Sequence, residues 1–186
     1  MHESVLLKES LEFLNLRDDS IIVDCTLGYG GHSSNILKRI PNGHLYSFDQ
    51  DIDAINYSSE RLSKINSNFT IIKSNFKNIT AKLNELNITK VNGILYDLGV
   101  SSPQLDVSER GFSYHLDSRL DMRMDKDNKL SAYEVVNNYP YEKLVKIFRE
   151  YGEEKYSTSI ARGIINNRPI ETTLELVEII KENVPF

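Results

Sequence analysis

Apolar positions follow two different periods along this chain. In the first half, short β-branched or aromatic runs alternate with stretches spaced every three to four residues. Ile21-Ile22-Val23, His44–Phe48, Phe69–Ile72 and Val91–Tyr96 read as buried strands. Between them lie predicted helices over Ser33–Ile40, Ile52–Ile65 and Ile79–Leu86, and Pro41-Asn42-Gly43 stops the first of these. A short amphipathic helix through Val5-Leu6-Leu7, Leu11 and Phe13-Leu14 precedes the first strand. Strand alternating with helix predicts a parallel sheet covered by helices on both faces.

The second half has no such alternation. Leu98–Asn128 shows no strand pattern and is rich in Ser, Asp, Arg and Gly. Helical patterns follow: Ser131-Ala-Tyr-Glu134 as a capping box, Tyr141–Tyr151 closed by Gly152, Lys155–Ile165, and a second box at Thr172-Thr-Leu-Glu175. A boundary is expected between Gly99 and Asp106. That divides the chain into a Rossmann-like α/β domain over 1–104, with an incomplete sheet, and a loop and helical segment over 105–186. Four strands followed by helices look unfinished, so the chain reads as C-terminally shortened, or its helical part as an insertion.

Composition narrows the function classes. The 186 residues are 40% hydrophobic, enough for a core. The single Cys25 allows no intramolecular disulfide, which points to a reducing, cytoplasmic setting. No apolar run approaches the ~20 residues of a membrane span, and Met1–Val5 lacks the pattern of a secretory signal. A net charge of -5 gives no support to broad nucleic-acid binding, so any RNA contact would rest on a local patch.

Candidate chemistry gathers at the ends of the predicted strands. Gly28-Tyr-Gly30-Gly31 follows strand one and reads either as a tight strand-to-helix turn or as a cofactor loop. Ser33 stands where a dinucleotide loop of the G-x-G-x-x-G type has its third glycine, which favours S-adenosyl-L-methionine, a donor with no pyrophosphate to seat. Asp49 ends strand two and suits a ribose; the alternative is a cap for the next helix, a task better suited to Asp51. Phe76 follows strand three and is read as stacking on adenine or as a core residue. Asp97 ends strand four and opens Asp97-Leu-Gly-Val-Ser-Ser-Pro-Gln104, where a carboxylate could accept a hydrogen bond from an exocyclic amine and aim its nitrogen at a methyl donor. His32 reads as a hydrogen-bonding group near the cofactor rather than a base. No Cys/His grouping has metal-ligand spacing. Arg110, Arg119, Arg123 and Lys126 alternate with Asp117, Asp121 and Asp125. They form either a solvated, internally paired face or a phosphate-contacting patch, which Arg149, Lys155, Arg162 and Arg168 would extend.

Long strings in this chain resemble the ribosomal RNA small subunit methyltransferase H family, also called MraW. They are His2 with Val5-Leu6-Leu7, Thr26–Ser33, Phe48-Asp49-Gln-Asp51, Asp97–Asp106, Glu109–Tyr114, Leu120–Asp125, Tyr151–Glu154 and Ile160-Ala161. Gly-Val-Ser-Ser-Pro-Gln-Leu-Asp and Leu-Asp-Met-Arg-Met-Asp are the specific ones. The resemblance implies a class I S-adenosylmethionine-dependent methyltransferase fold with a helical insertion that recognises substrate. It implies methylation of N4 of a cytidine in 16S rRNA near the decoding site, with 16S rRNA or the small ribosomal subunit as partner. It assigns the donor to Gly30, Gly31, His32, Asp49, Phe76, Asp97 and Gln104, with Asp97 also the catalytic candidate. Departures from the family pattern are Cys25, where a small residue is usual, and Asp117-Ser118-Arg119-Leu120 for Asp-Gly-Pro-Leu. The alternatives are a non-catalytic donor- or RNA-binding remnant and an NAD-dependent oxidoreductase.

Overall fold

The computed structural model describes residues 4–185, so His2 and the Phe186 end lie outside the described residues. Contacts divide the chain into two compact units, residues 1–101 and 102–186. The first unit opens with helix α1 (Leu7–Phe13) and continues as β1 (Ile21–Asp24), α2 (Gly31–Leu37), β2 (His44–Asp49), α3 (Ile52–Ser63), β3 (Phe69–Lys73), α4 (Ile79–Glu85) and β4 (Gly93–Leu95). All three strand pairings are parallel, in the order β3-β2-β1-β4. This is the Rossmann-like arrangement of a class I methyltransferase fold.

Strand alternation sorts the core into two faces. Ile22 and Leu45 pack with Leu11 of α1, Ile36 and Leu37 of α2 and Leu62 of α3. Val23, Cys25, Tyr46 and Phe48 point the other way and pack with Leu83 of α4. Helices therefore cover both faces, as the two-sided apolar runs of the strands require.

Several boundaries shift by a few residues, two of them for a clear local reason. Helix α2 starts at Gly31, not Ser33, because Gly30 adopts a left-handed conformation at its N-cap (φ 75°) and releases the chain into the helix at once. Strand β4 shrinks from Val91–Tyr96 to Gly93–Leu95, since among the described residues it pairs only with β1.

The second unit has its own core of Leu120, Val136, Leu144, Ile160, Ala161, Ile164 and Ile170. Its helices are α5 (Ser102–Asp106), α6 (Ala132–Asn138), α7 (Tyr141–Glu150), α8 (Ser157–Asn167) and α9 (Thr173–Glu182). Both expected capping boxes form, Ser131 with Glu134 and Thr172 with Glu175. The stretch read as loop contains α5 and a 3-10 turn at Ser108–Arg110. The rest of it is braced by hydrogen bonds: Met122 N–H donates to Arg110 O, and Leu120 N–H to Glu171 O.

Candidate active site

With every strand parallel, the segments after β1, β2, β3 and β4 emerge at one edge of the sheet. Open α/β sheets bind ligands at that edge. The segment after β1 is held from three sides. Gly28 N–H donates to Asp49 Oδ2 at 2.7 Å. Ser58 Oγ donates to Gly28 O at 2.8 Å, and the Arg61 guanidinium to Tyr29 O at 2.9 Å. Gly30 must be glycine for two reasons: its φ is +75°, and a Cβ there would stand 3.0 Å from Ser58 Oγ. Ser58 and Arg61 carry no motif. The signal for Ser58 is its place in the buried stripe Ala54, Ser58, Leu62, where a hydroxyl needs a polar partner.

Beneath the loop lies a buried polar anchor. Asp24 is fully buried and accepts from Ser33 Oγ at 2.7 Å and from Thr26 N–H at 3.0 Å. Ser33 Oγ also meets Ser47 Oγ at 3.0 Å, joining β1, α2 and β2. Burial pushes the Asp24 carboxyl above its ordinary value, opposed by the Ser33 and Thr26 hydrogen bonds and by the nearby His32. Thr26 Oγ1 in turn accepts the Asp97 N–H at 2.8 Å, which fixes the end of β4 to the end of β1.

Asp49 is almost saturated. Its Oδ1 accepts from the N–H groups of Gln50 and Asp51, and its Oδ2 from Gly28. An ionised carboxylate has about four lone-pair sites, so room remains for one further donor. Burial raises its carboxyl, and the same three N–H groups oppose that rise. Asp51, not Asp49, caps α3 by accepting from Asp53 N–H at 3.1 Å.

His32 lies in the first turn of α2 and is 5% exposed. Its Nδ1 is 3.6 Å from Asp97 Oδ2, while its Nε2 is buried without a hydrogen-bond partner among the described residues. The Asp97 side chain is 42% exposed, open enough to meet a ligand. Phe76 begins a short turn after β3 and meets Tyr96 edge-on, with ring centroids 5.5 Å apart. Asn75 Nδ2 donates to Gln50 Oε1 at 3.0 Å, linking the segments after β3 and β2. The first unit thus contains Gly30, Gly31, His32, Asp49, Phe76 and Asp97 along one edge. Gln104 lies in the second unit, buried on α5. Thr26, Ser58, Gln50 and Asn75 were not among the candidates, and all four brace this edge.

The arginines resolve against the phosphate-patch alternative at three positions. Arg110 is buried and donates to Arg123 O at 2.9 Å. Arg123 grips both oxygens of Asp121 and the carbonyls of Lys126 and Asn128. Arg168 donates to Val136 O and Tyr139 O near the end of α6. Their donors are turned inward because this irregular backbone has few ladder partners of its own. Arg119, Arg149, Lys155 and Arg162 are exposed.

The MraW methylase family model matches residues 1–186. The chain belongs to that family. It is 57% identical over 187 residues to ribosomal RNA small subunit methyltransferase H of Exiguobacterium sibiricum, covering 99% of this chain. It is 56% identical over 185 residues to the protein of the same name from Mesoplasma florum. The chain spans 60% of the length of each of these relatives. A solved rRNA methylase from Streptococcus thermophilus aligns at 26% identity and a TM-score of 0.42, over 64% of this chain and 72% of that one. That likeness is too loose to bear on residue positions.

Membership of a methylase family implies S-adenosyl-L-methionine as cofactor. The residues present fit it: a strand-to-helix turn held at Gly28 and Gly30 in left-handed conformations, one acceptor site left on Asp49, a His32 Nε2 without a partner among the described residues and an open Asp97. Among the described residues no three metal-ligating side chains cluster, and no helix is long and apolar enough to cross a membrane.

Proposed function

We propose that this chain binds S-adenosyl-L-methionine along the strand ends of its first unit and methylates N4 of a cytidine in 16S rRNA near the decoding site. The single observation that carries this reading is Asp97. It is a half-open carboxylate whose backbone is pinned through Thr26 and whose Oδ2 lies 3.6 Å from a buried histidine. Family membership and the names of the two relatives support the RNA acceptor. In this reading Asp49 accepts a ribose hydroxyl, Gly30 and Gly31 meet the donor through their backbone, and His32 Nε2 gains a partner. The helical segment over 105–186 recognises substrate.

The bound sulfonium supplies its own activated methyl group, so the protein's task is positioning. Asp97 accepts a hydrogen bond from the cytosine N4–H. That draws electron density onto N4 and aims its lone pair along the line of transfer. The amine proton leaves after transfer, toward Asp97 or water. The cytidine must be unpaired to enter, the usual mode for RNA bases that are read or modified.

Transfer of radiolabelled methyl groups to small-subunit RNA tests the reading. Asp97→Ala is expected to lower transfer at least about 10²-fold and to weaken S-adenosylhomocysteine binding. Unchanged transfer sinks the role of Asp97. A thermal shift with S-adenosylhomocysteine but not with NAD is expected. Binding without any transfer would leave a donor-binding module.

A further inference from the structure

Tyr96 immediately precedes Asp97 and is 48% exposed, yet its ring is packed against another aromatic ring. Its ring meets Phe76 at 82°, the edge-to-face geometry that aromatic quadrupoles prefer. Cys25 is buried at the end of β1, and Phe76 packs against the same cluster. In the sheet order, β3 and β4 are separated by β2 and β1. Phe76 follows β3 and Tyr96 follows β4, so the two rings meet across the ends of the intervening strands, on the α4 face. The side chain of Asn75, next to Phe76, donates to Gln50 Oε1 at 3.0 Å.

Cys25, in the same cluster, suits packing and not a nucleophile. Burial pushes its thiol up to about 11, so it stays protonated near neutrality and acts as a compact packing group. Phe76, in turn, lies beside the segment that carries Asp49. If Asp49 takes the ribose, the attached base falls on the β3 side, against Phe76.

We propose that Tyr96 is a positioning residue that holds the Phe76 ring as the wall of the adenine subsite. The inference rests on the donor-site reading above and deepens it. Without Tyr96 the Phe76 ring samples other rotamers, and binding must then order it.

Isothermal titration of the 186-residue chain with S-adenosylhomocysteine tests this by a double-mutant cycle, with far-UV melting as the check on folding. Tyr96→Leu is expected to weaken binding about tenfold, and Phe76→Leu by a similar factor. The double variant is expected to match either single one, because both remove one shared wall. Tyr96→Phe keeps the ring edge and is expected to stay within about threefold of wild type; a larger loss overturns the role of the ring edge, even if the leucine variant fails to fold. Multiplicative losses of about a hundredfold, or an unchanged Tyr96→Leu, overturn the inference alone. No binding by the wild-type chain removes the donor-site reading, and this inference with it.

Discussion

At the scale of single residues, Asp24 does the most structural work for its size. It is a fully buried carboxylate that ties the glycine turn, the start of α2 and, through Thr26, the end of β4 into one unit. Burial raises its folded pKa above the ordinary 3.8. A raised folded value means that its contribution to stability is fully present below the unfolded pKa and is lost as pH rises through the folded one. Asp24→Asn keeps the shape, and the Ser33–Ser47 hydroxyl pair can reverse its donors to match. Urea unfolding of both proteins between about pH 4 and pH 8 should therefore show wild type losing ground to the variant as pH rises. A constant difference would contradict the assignment. Gly30 gives a second test at this scale. Gly30→Ala forces a side chain into φ +75° and toward Ser58 Oγ. It is expected to cost about 1–2 kcal/mol in the same measurement.

At the scale of elements, the segment between α5 and α6 shows how an irregular stretch becomes ordered. It has few backbone ladder partners, and Arg123 supplies the missing donors. It places its Nε and Nη2 on Asp121 at 2.9 and 2.6 Å and its Nη1 on two carbonyls. The same guanidinium holds the Asp121 carboxyl below its usual range. Arg123→Ala is expected to destabilise the chain by about 2 kcal/mol. Arg123→Lys should recover little of that, because an ammonium cannot make the planar fork. Chemical denaturation reads both variants. Arg123 was legible in the sequence as a charged residue among acids but not as a brace. Its alternation with Asp121 and Asp125 fits a solvated face equally well, and only the path of the backbone decides which carbonyls lie within its reach.

At the scale of the whole molecule, each compact unit has a separate core. The two apolar clusters of the first unit lie on either face of its sheet, and that of the second begins at Leu120. Leu144 is completely buried among the second unit's helices. Leu144→Ala is expected to remove about 3 kcal/mol from that unit. Amide hydrogen exchange should show it as lost protection across α7, α8 and α9. Unchanged protection there would mean that this core is not what holds the three helices.

The sequence by itself determined the strand-and-helix order, the three strand-end aspartates and the two capping boxes. Each of these rests on local periodicity or short-range hydrogen bonding. It also determined the family, because the strings around Asp97 and Asp121 are long and unbroken. Tertiary structure alone decided the strand order β3-β2-β1-β4, which is set by crossovers that no local pattern encodes. It decided that Thr26 joins Asp97, that Ser58 braces Gly28, and that Phe76 packs on the cluster of Cys25 and meets Tyr96. These partners lie between 20 and 71 positions apart. Side chains so distant acquire neighbours only when the sheet assembles, and their sequence spacing carries no trace of it.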